Sequence, residues 1–261
     1  MLRGMGPGRP PWGRGGPLRL FALEGLPEIR PDGRLAQLIA AAASAQGVRP
    51  GDVLAVAQKI VSKDEDRVVV LTDVVPTPRA RGLADLTGKD PQLCELILAE
   101  SARIVRRRGA TLICETHHGF ICANAGIDTS NTDAGTAVLL PTDADRSARR
   151  IQTAVSAAVG GRIGVIVTDT HGRAFRRGLV DVAIGVAGFE AINDYRGEVD
   201  RDGRVLVATE LAVADELAAA AGILMDKAAG TPVVVVSGVA TMPAPGTAAG
   251  LLRRPEHDLF R

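Results

Sequence analysis

The sequence predicts an α/β protein in which a mixed β-sheet is flanked by helices. Short apolar runs rich in Val and Ile alternate with longer segments of helical periodicity, which is typical of this class. Only a few residues separate the runs on either side of His117 and His118, so we expect an antiparallel hairpin there. The predicted strands cover residues 53–57, 67–71, 111–115, 119–123, 164–168, 182–186 and 232–236.

The clearest helix signal covers residues 91–107. Asp90 is suited to the N-cap, Pro91 to the first helical position, and Gly109 follows a basic last turn. The segment before it, residues 76–88, contains Pro and Gly residues, and we expect a mobile loop there.

Three further helices are predicted. One covers residues 34–45, and an Ala-rich one covers residues 211–227. Another begins near Thr142, where a Thr-x-x-Asp arrangement resembles a capping box. The apolar residues of that helix recur at helical spacing and are Ile151, Val155 and Val159.

We expect a disordered tail over residues 1–19 and one folded unit over residues 20–261. The tail is rich in Gly, Pro and Arg and contains too little apolar surface to order itself. The opening 19 residues contain no apolar run of the length that a signal peptide needs, and no later stretch reaches the length of a membrane span. The odd count of three cysteines does not suggest a disulfide framework. We therefore expect a cytoplasmic protein.

The overall composition favours a small-molecule partner. The chain has 261 residues, a net charge of +1 and 46% hydrophobic residues, which describes an ordinary globular protein. This net charge does not indicate the positively charged surface that nucleic-acid binding requires. One Trp, one Tyr and five Phe provide few aromatic rings on which bases could stack.

Two polar segments, residues 114–131 and 167–178, follow predicted strands and are the expected site of chemistry. Each contains a carboxylate, Asp128 or Asp169, beside hydroxyl and amide oxygens. Such donors suit Mg²⁺ or Mn²⁺ and the phosphates that accompany these ions. Taken singly, each segment could be an ordinary turn, but two after neighbouring strands favour a site, because ligands of open α/β sheets bind beyond strand ends.

Other polar groups allow more than one interpretation. Residues 58–63 place two lysines after a strand, which suits a polyphosphate or a solvated turn. Cys114, His118 and Cys122 are evenly spaced, but a fourth zinc ligand is missing. We interpret the two cysteines as core residues of the hairpin.

Five motifs in order along the chain make it resemble the coenzyme F420 glutamate ligases. The motifs are LEGLPEI at residues 23–29, GDVLAVAQKIVSK at 51–63, NAGIDTSN at 124–131, TDTHGR at 168–173 and ADELA at 214–218. The resemblance implies a GTP-dependent ligase of an uncommon α/β fold, assembled as an intertwined homodimer, that uses two divalent metals, Mg²⁺ or Mn²⁺, and in many members K⁺. Its substrates would be GTP, L-glutamate and the F420 precursor, with no nucleic acid and no membrane involved.

The resemblance also implies roles for individual residues. The metal ligands would be Asp128, Asp169 and Thr170. The contacts to the guanine nucleotide would be Leu26, Pro27, Glu28, Ile29, Gln58, Lys63, Asn131 and the segment from Met225. We further expect the arginines of the second polar segment, Arg173, Arg176 and Arg177, to hold phosphates or the carboxylates of glutamate.

The chain departs from the family pattern at two places. Members often carry Gly and then Gln or Glu after the equivalent of Met225, whereas Asp226 and Lys227 stand here. A protonated lysine cannot ligate a metal, so either Asp226 takes this role or water does. Gln58 stands where relatives often carry Ser.

The expected reaction forms an acyl phosphate from the precursor's carboxylate and GTP, and the amine of glutamate then displaces phosphate. The alternative is a metal-dependent nucleotide or phosphate-ester hydrolase, in which the same carboxylates activate water. A third possibility is a nucleotide-sensing module that binds GTP without turnover.

Overall fold

A computed structural model describes residues 17–130, 132–225 and 230–258. Its strands are β1 (Arg19–Ala22), β2 (Val53–Ala57), β3 (Val68–Val70), β4 (Ser101–Arg108), β5 (Thr111–Thr116), β6 (Ile121–Ala123), β7 (Thr136–Val138), β8 (Gly164–Gly172), β9 (Leu179–Ala187), β10 (Asn193–Asp194), β11 (Glu210–Leu211) and β12 (Val233–Ser237). Its α-helices are α1 (Leu35–Ala45), α2 (Gln58–Asp64), α3 (Pro78–Thr87), α4 (Pro91–Ala99), α5 (Ala144–Val159) and α6 (Val213–Gly222). The predicted α/β class, with a mixed sheet and flanking helices, is confirmed.

The main sheet has five strands in the order β1-β12-β2-β8-β9. β2 and β8 run parallel at its centre, and the other three pairings are antiparallel. Ala57 at the end of β2 pairs with Thr168 of β8. The residues that follow these two positions, Gln58 and Asp169, therefore emerge at the same edge of the sheet.

Both faces of this sheet are buried. Along β2, Leu54 and Val56 pack into a cluster with α1 and α5, whereas Val53 and Ala55 pack into a cluster with α6. This alternation follows from the two-residue period of a strand. Because both faces need apolar side chains, the strand is a continuous apolar run in the sequence.

A smaller layer lies beside the main sheet. It contains the three-stranded sheet β4-β5-β6, the pair β3–β7, and helices α3 and α4. Cys114 and Cys122 lie directly opposite each other on β5 and β6, which confirms the predicted antiparallel hairpin. The strand β6 also contacts β8 and so joins this layer to the end of the main sheet.

The predicted helix over residues 91–107 is wrong in its second half. Asp90 caps α4 as expected, but the helix ends at Ala99 and residues Ser101–Arg108 form β4. Gly109, with φ +57°, belongs to the tight turn between β4 and β5 rather than to a helix C-terminus. The apolar residues of this segment also fit a helical spacing, but pairing with β5 determines its conformation.

Residues 76–88 are not a loop. They contain α3, in which the Thr77 side chain accepts a hydrogen bond from the backbone N–H of Ala80, Pro78 occupies the first turn, and Gly88 ends the helix at φ +69°. Residues 58–63 likewise form α2 rather than a turn.

The remaining boundaries shift by a few residues. α5 begins after Asp143, which caps it in place of Thr142, and α6 is shorter than predicted because it ends at Gly222. β1 begins at Arg19, within the predicted tail, whose first 16 residues lie outside the described part of the chain. None of the described helices combines the length and the apolar character that a membrane crossing requires.

Candidate active site

A cavity of about 550 Å³ lies at the edge of the main sheet where β2 and β8 end. Its volume falls in the range typical of small-molecule sites. The predicted site residues that line it are Leu26, Pro27, Glu28, Ile29, Gln58, Lys63, Asp128, Asp169, Thr170 and Met225. The fold thus brings residues far apart in the sequence to one place.

The Asp128 carboxylate is held by two neighbours. Its Oδ2 lies 2.9 Å from Nζ of Lys59, in the first turn of α2, and its Oδ1 accepts the backbone N–H of Ser130 at 2.7 Å. The same Lys59 ammonium donates to the carbonyl of Ser130 at 2.6 Å. Burial raises the pKa of Asp128, but the hydrogen bonds from Ser130 and Lys59 lower it by more, and the net pKa lies below the ordinary value.

The backbone before Asp128 has an uncommon conformation. Asn124, Ala125 and Gly126 have φ values of +51°, +55° and +74°, so three successive residues are left-handed. A Cβ at Gly126 would lie 2.7 Å from the Leu140 side chain, which leaves no room for a larger residue. Backbone strain of this kind is characteristic of functional sites, and here the strained residues lead directly into Asp128 in the cavity lining.

The second carboxylate lies on the end of β8. Oδ2 of Asp169 is 3.1 Å from Nε2 of His171, two residues further along the strand. Thr170 lies between them, on the other face of β8, and its Oγ1 donates a hydrogen bond to Oδ1 of Asp181 at 2.7 Å. Asp181 belongs to β9 and also lines the cavity.

Two residues of the cavity lining form an ion pair. Lys63, on α2, binds the Glu28 carboxylate, and both residues line the cavity. Gln58, at the start of α2, is buried, and its Nε2 donates to Oγ of Ser62 at 2.6 Å and to the carbonyl of Leu139 at 3.0 Å. Both amide hydrogens of Gln58 are therefore used inside the protein, and only its carbonyl oxygen remains for a ligand.

Met225 closes the cavity near Thr168. Oγ1 of Thr168 lies 3.7 Å from the Met225 sulfur. Asn131, Asp226 and Lys227 lie outside the described residues, so their predicted roles remain predictions.

Cys122 also lines the cavity, and its thiol is free and buried. Burial, the nearby charge of Asp169 and the neighbouring Cys114 raise the pKa of Cys122 to about 12. His118 lies in the hairpin turn, where Nε2 contacts the carbonyl of Thr142 at 2.9 Å. In the described ranges no three His, Cys, Asp or Glu side chains form a metal-binding group, which leaves the zinc interpretation without support.

The three arginines of the second polar segment lie outside the cavity lining. Arg173, Arg176 and Arg177 are exposed in the β8–β9 hairpin, and Nη2 of Arg173 donates to the carbonyl of Arg177 at 3.3 Å. Their predicted role in holding phosphates or carboxylates remains a prediction.

The oxygen donors around the cavity fit a hard divalent cation. Asp128, Asp169 and Thr170 offer two carboxylates and a hydroxyl in one cavity. Mg²⁺ commonly binds through one or two carboxylates and completes its octahedron with water and substrate phosphates, so it does not need three acidic ligands.

Asp181 is a charged lining residue that sequence reasoning missed. A signal was present, because it is a carboxylate within the apolar run LVDVAIGVA of β9. A charge within an apolar strand sequence indicates a partner or a ligand.

Comparison with known proteins gives a consistent result. The family model of F420-0:Gamma-glutamyl ligase matches residues 25–238. The chain is 44% identical to the coenzyme F420:L-glutamate ligase of Methanothermobacter thermautotrophicus, over 94% of this chain and 99% of that protein. It is 43% identical to the protein of the same name from Methanopyrus kandleri, over 90% and 94%, and 41% identical to that of Methanocaldococcus jannaschii, over 82% and 86%.

Proposed function

The chain belongs to the F420-0:gamma-glutamyl ligase family, and we propose that it joins L-glutamate to the F420 precursor with consumption of GTP. One observation carries the proposal beyond the family. Asp128 and Asp169, from separate polar segments, line the same cavity as two lysines of α2. Phosphoryl transfer requires carboxylates that bind a divalent cation and positively charged groups that bind the phosphates, and this cavity contains both kinds of side chain.

The two lysines define the phosphate side of the cavity. Lys59 and Lys63 lie four residues apart on one face of α2 and both line the cavity. Each is now paired with a carboxylate, Asp128 or Glu28. We propose that the phosphates of GTP bind these ammonium groups, and that the segment from Leu26 to Ile29 contacts the nucleotide on the same wall.

Asp128, Asp169 and Thr170 would hold Mg²⁺ or Mn²⁺, with K⁺ as an additional cation. Bound there, the divalent cation would neutralise charge on the phosphoryl oxygens. Neighbouring residues position the two carboxylates that would bind the cation: Ser130 and Lys59 contact Asp128, and His171 contacts Asp169.

The proposed chemistry has two steps. The carboxylate of the precursor attacks the γ-phosphorus of GTP, which gives an acyl phosphate and GDP. The amine of glutamate then attacks the acyl carbon, loses a proton and expels phosphate, which leaves an amide. No protein nucleophile is needed, and the raised pKa of the Cys122 thiol agrees with this route.

Mass spectrometry of the precursor tests the proposal. The protein is incubated with the glutamate-free precursor, GTP, Mn²⁺ and L-glutamate, and GDP is measured in parallel. We expect a mass gain of whole glutamyl units with one GDP for each, and the number of units gives the length of the tail. Replacing GTP by ATP tests the choice of nucleotide. GDP release without glutamate and without mass gain would favour the hydrolase instead.

Two variants and a control connect this reaction to the cavity. Asp128→Asn and Asp169→Asn should each lower kcat/KM by a factor of about 100 or more, because each removes a charged donor from the cation. Asp85→Asn, on the exposed face of α3, should leave the reaction unchanged. Turnover at the wild-type rate in either cavity variant would contradict the assigned roles.

The role of the hairpin arginines is tested separately. We propose that Arg173 contributes to binding a phosphate or a glutamate carboxylate, although it lies outside the cavity lining. Arg173→Ala should raise KM for GTP or glutamate, and unchanged kinetics would remove the residue from the site.

We propose that the chain forms a homodimer in the cytoplasm. Phe175 and Leu179, in the β8–β9 hairpin, are 89% and 63% exposed and together offer apolar surface that a second copy of the chain would cover. The three cysteines are free thiols, which agrees with a reducing compartment. Light scattering should give twice the chain mass for the wild type and a smaller mass for Phe175→Asp.

A further inference from the structure

Asp181 is the partner of a predicted metal ligand. Thr170 of β8 and Asp181 of β9 are directly opposite in the antiparallel register, and the Thr170 hydroxyl donates to Oδ1 of Asp181 at 2.7 Å. A hydroxyl has one hydrogen and two lone pairs. Because Asp181 takes the hydrogen, both lone pairs of Thr170 Oγ1 remain for a cation or another donor.

This pairing depends on a β-bulge. From Val165 to Val167, β8 pairs with β9 in one register, in which Val167 faces Gly185. The next pair is Thr168 with Ala183, so one residue of β9 is skipped. Without the bulge, Thr170 would face Val182, and Asp181 would lie on the opposite face of the hairpin.

The bulge and the carboxylate are both held by α6. Oδ1 of Asp215, in the first turn of α6, accepts the backbone N–H of Ala183 at 2.9 Å, at the bulge itself. At the other end of α6, a Cβ on Gly222 would lie 2.7 Å from Oδ2 of Asp181. The helix therefore accepts a hydrogen bond at the bulge and packs its glycine against the carboxylate.

We propose that Asp181 is a positioning residue that orients the Thr170 hydroxyl toward a divalent cation in the cavity. The inference rests on the proposed function, because it assumes that Thr170 binds a cation. It adds a residue that acts through Thr170, and it gives the bulge and Gly222 a role in the site.

A double-mutant cycle with Mn²⁺ as the probe tests this role. Free Mn²⁺ is measured by electron paramagnetic resonance in the presence of a GTP analogue with a nitrogen bridge between the β- and γ-phosphorus. We expect Asp181→Ala to weaken Mn²⁺ binding by about 10- to 100-fold, as is usual for partners of metal ligands. In a Thr170→Ala background the same change should have no further effect, because Asp181 acts through that hydroxyl.

The isosteric variant separates orientation from direct ligation. Asp181→Asn retains a carbonyl oxygen that can accept the Thr170 hydrogen, so we expect Mn²⁺ binding within about threefold of the wild type. Gly222→Ala should weaken binding although Asp181 is intact, because the added methyl group pushes the carboxylate from Thr170. The control is Asp85→Ala on α3, which should change nothing, and circular dichroism checks the folding of each variant.

Several outcomes would overturn the inference. Additive effects in the cycle, wild-type binding in Asp181→Ala, or equal losses in the Asn and Ala variants would each do so. If the wild type makes the glutamyl product but the Asp181→Ala variant binds Mn²⁺ normally, only the positioning role is refuted. Absence of glutamyl product from the wild type would instead refute the proposed function.

Discussion

Removing the Asp145 side chain should destabilise the protein by about 4 kcal/mol. Asp145 lies in the first turn of α5, and its Oδ1 accepts the backbone N–H groups of Val186 at 2.8 Å and Ala248 at 2.9 Å. Val186 and Ala248 are almost completely buried, so water cannot replace the lost acceptor. Each unsatisfied buried N–H costs about 1–3 kcal/mol, and Asp145→Ala leaves two of them.

The Asn variant provides the sharper comparison. Asp145→Asn keeps the oxygen that accepts both N–H groups and replaces only Oδ2, which accepts the hydroxyl of Thr247 at 2.5 Å. That hydroxyl can rotate and accept from the new amide. We therefore expect a loss of about 1 kcal/mol, the usual contribution of one hydrogen bond.

Urea unfolding followed by far-ultraviolet circular dichroism measures these losses. The shift in midpoint at constant slope gives the change in the free energy of unfolding. Asp143→Ala, which removes the N-cap of the same helix and a single hydrogen bond to the N–H of Arg146, is the control and should cost about 1 kcal/mol. The reasoning fails if Asp145→Ala costs no more than Asp143→Ala, or if the Asn and Ala variants are equally unstable.

Three further predictions concern the cavity and the sheet. Lys59→Met should raise the pKa of Asp128, as measured by carbon NMR of its carboxyl. Because the pKa of Asp128 is lowered in the folded state, its ionised carboxylate should stabilise the wild type at pH values above 3.8, its ordinary pKa. This stabilisation should be lost as the pH falls through the folded-state pKa. An Asp128 pKa in the variant equal to that of the wild type would contradict the role of Lys59. Gly185→Ala would place a Cβ 2.4 Å from the carbonyl oxygen of Ala144, so we expect the free energy of unfolding to fall by about 3 kcal/mol. The control is Gly82→Ala, whose Cβ would meet no atom within 4 Å, and its melting temperature should be unchanged or higher. Cys122, with a pKa of about 12, should resist iodoacetamide at neutral pH until urea unfolds the chain, and labelling of the folded protein seen by mass spectrometry would contradict its burial.

Four strands of the main sheet, β2, β8, β9 and β12, could be predicted from sequence because their physical signal is local, whereas β1 was not predicted. β2 is the apolar run Val53–Ala57, bounded by polar residues at both ends, and the prediction matches the structure at each boundary. The helix α3 was missed although its signals were present. Thr77, Pro78 and Gly88 provide the N-cap, the first-turn proline and the left-handed C-terminus, but Pro and Gly also mark loops.

The β4 strand could not be predicted from local pattern. Its Ile104 and Val105 fit the apolar face of a helix that continues from α4. The conformation is decided by pairing with β5, in which Ile104 lies opposite Cys114 and Arg108 opposite Thr111. Such pairing is a tertiary effect that helical periodicity does not reveal.

The candidate site was predicted in its parts but not in its contacts. The motifs containing Asp128 and Asp169 were recognised, and the parallel pairing of β2 with β8 explains why they meet. The contact of Lys59 with Asp128 and that of Asp181 with Thr170 were not predicted. The second contact depends on a one-residue bulge, and nothing in the periodicity of either strand indicates where the register changes.

The pairing of β2 sets the order in which the protein can mature on the ribosome. Val53 pairs with Gly164 on one side and with Val236 on the other, so both neighbours of this central strand are synthesised long after it. Until β8 emerges, a buried and wholly apolar strand has two open edges, which is the condition that invites aggregation. The cavity is thus a late product of translation, and a nascent chain arrested before β12 would have an incomplete sheet.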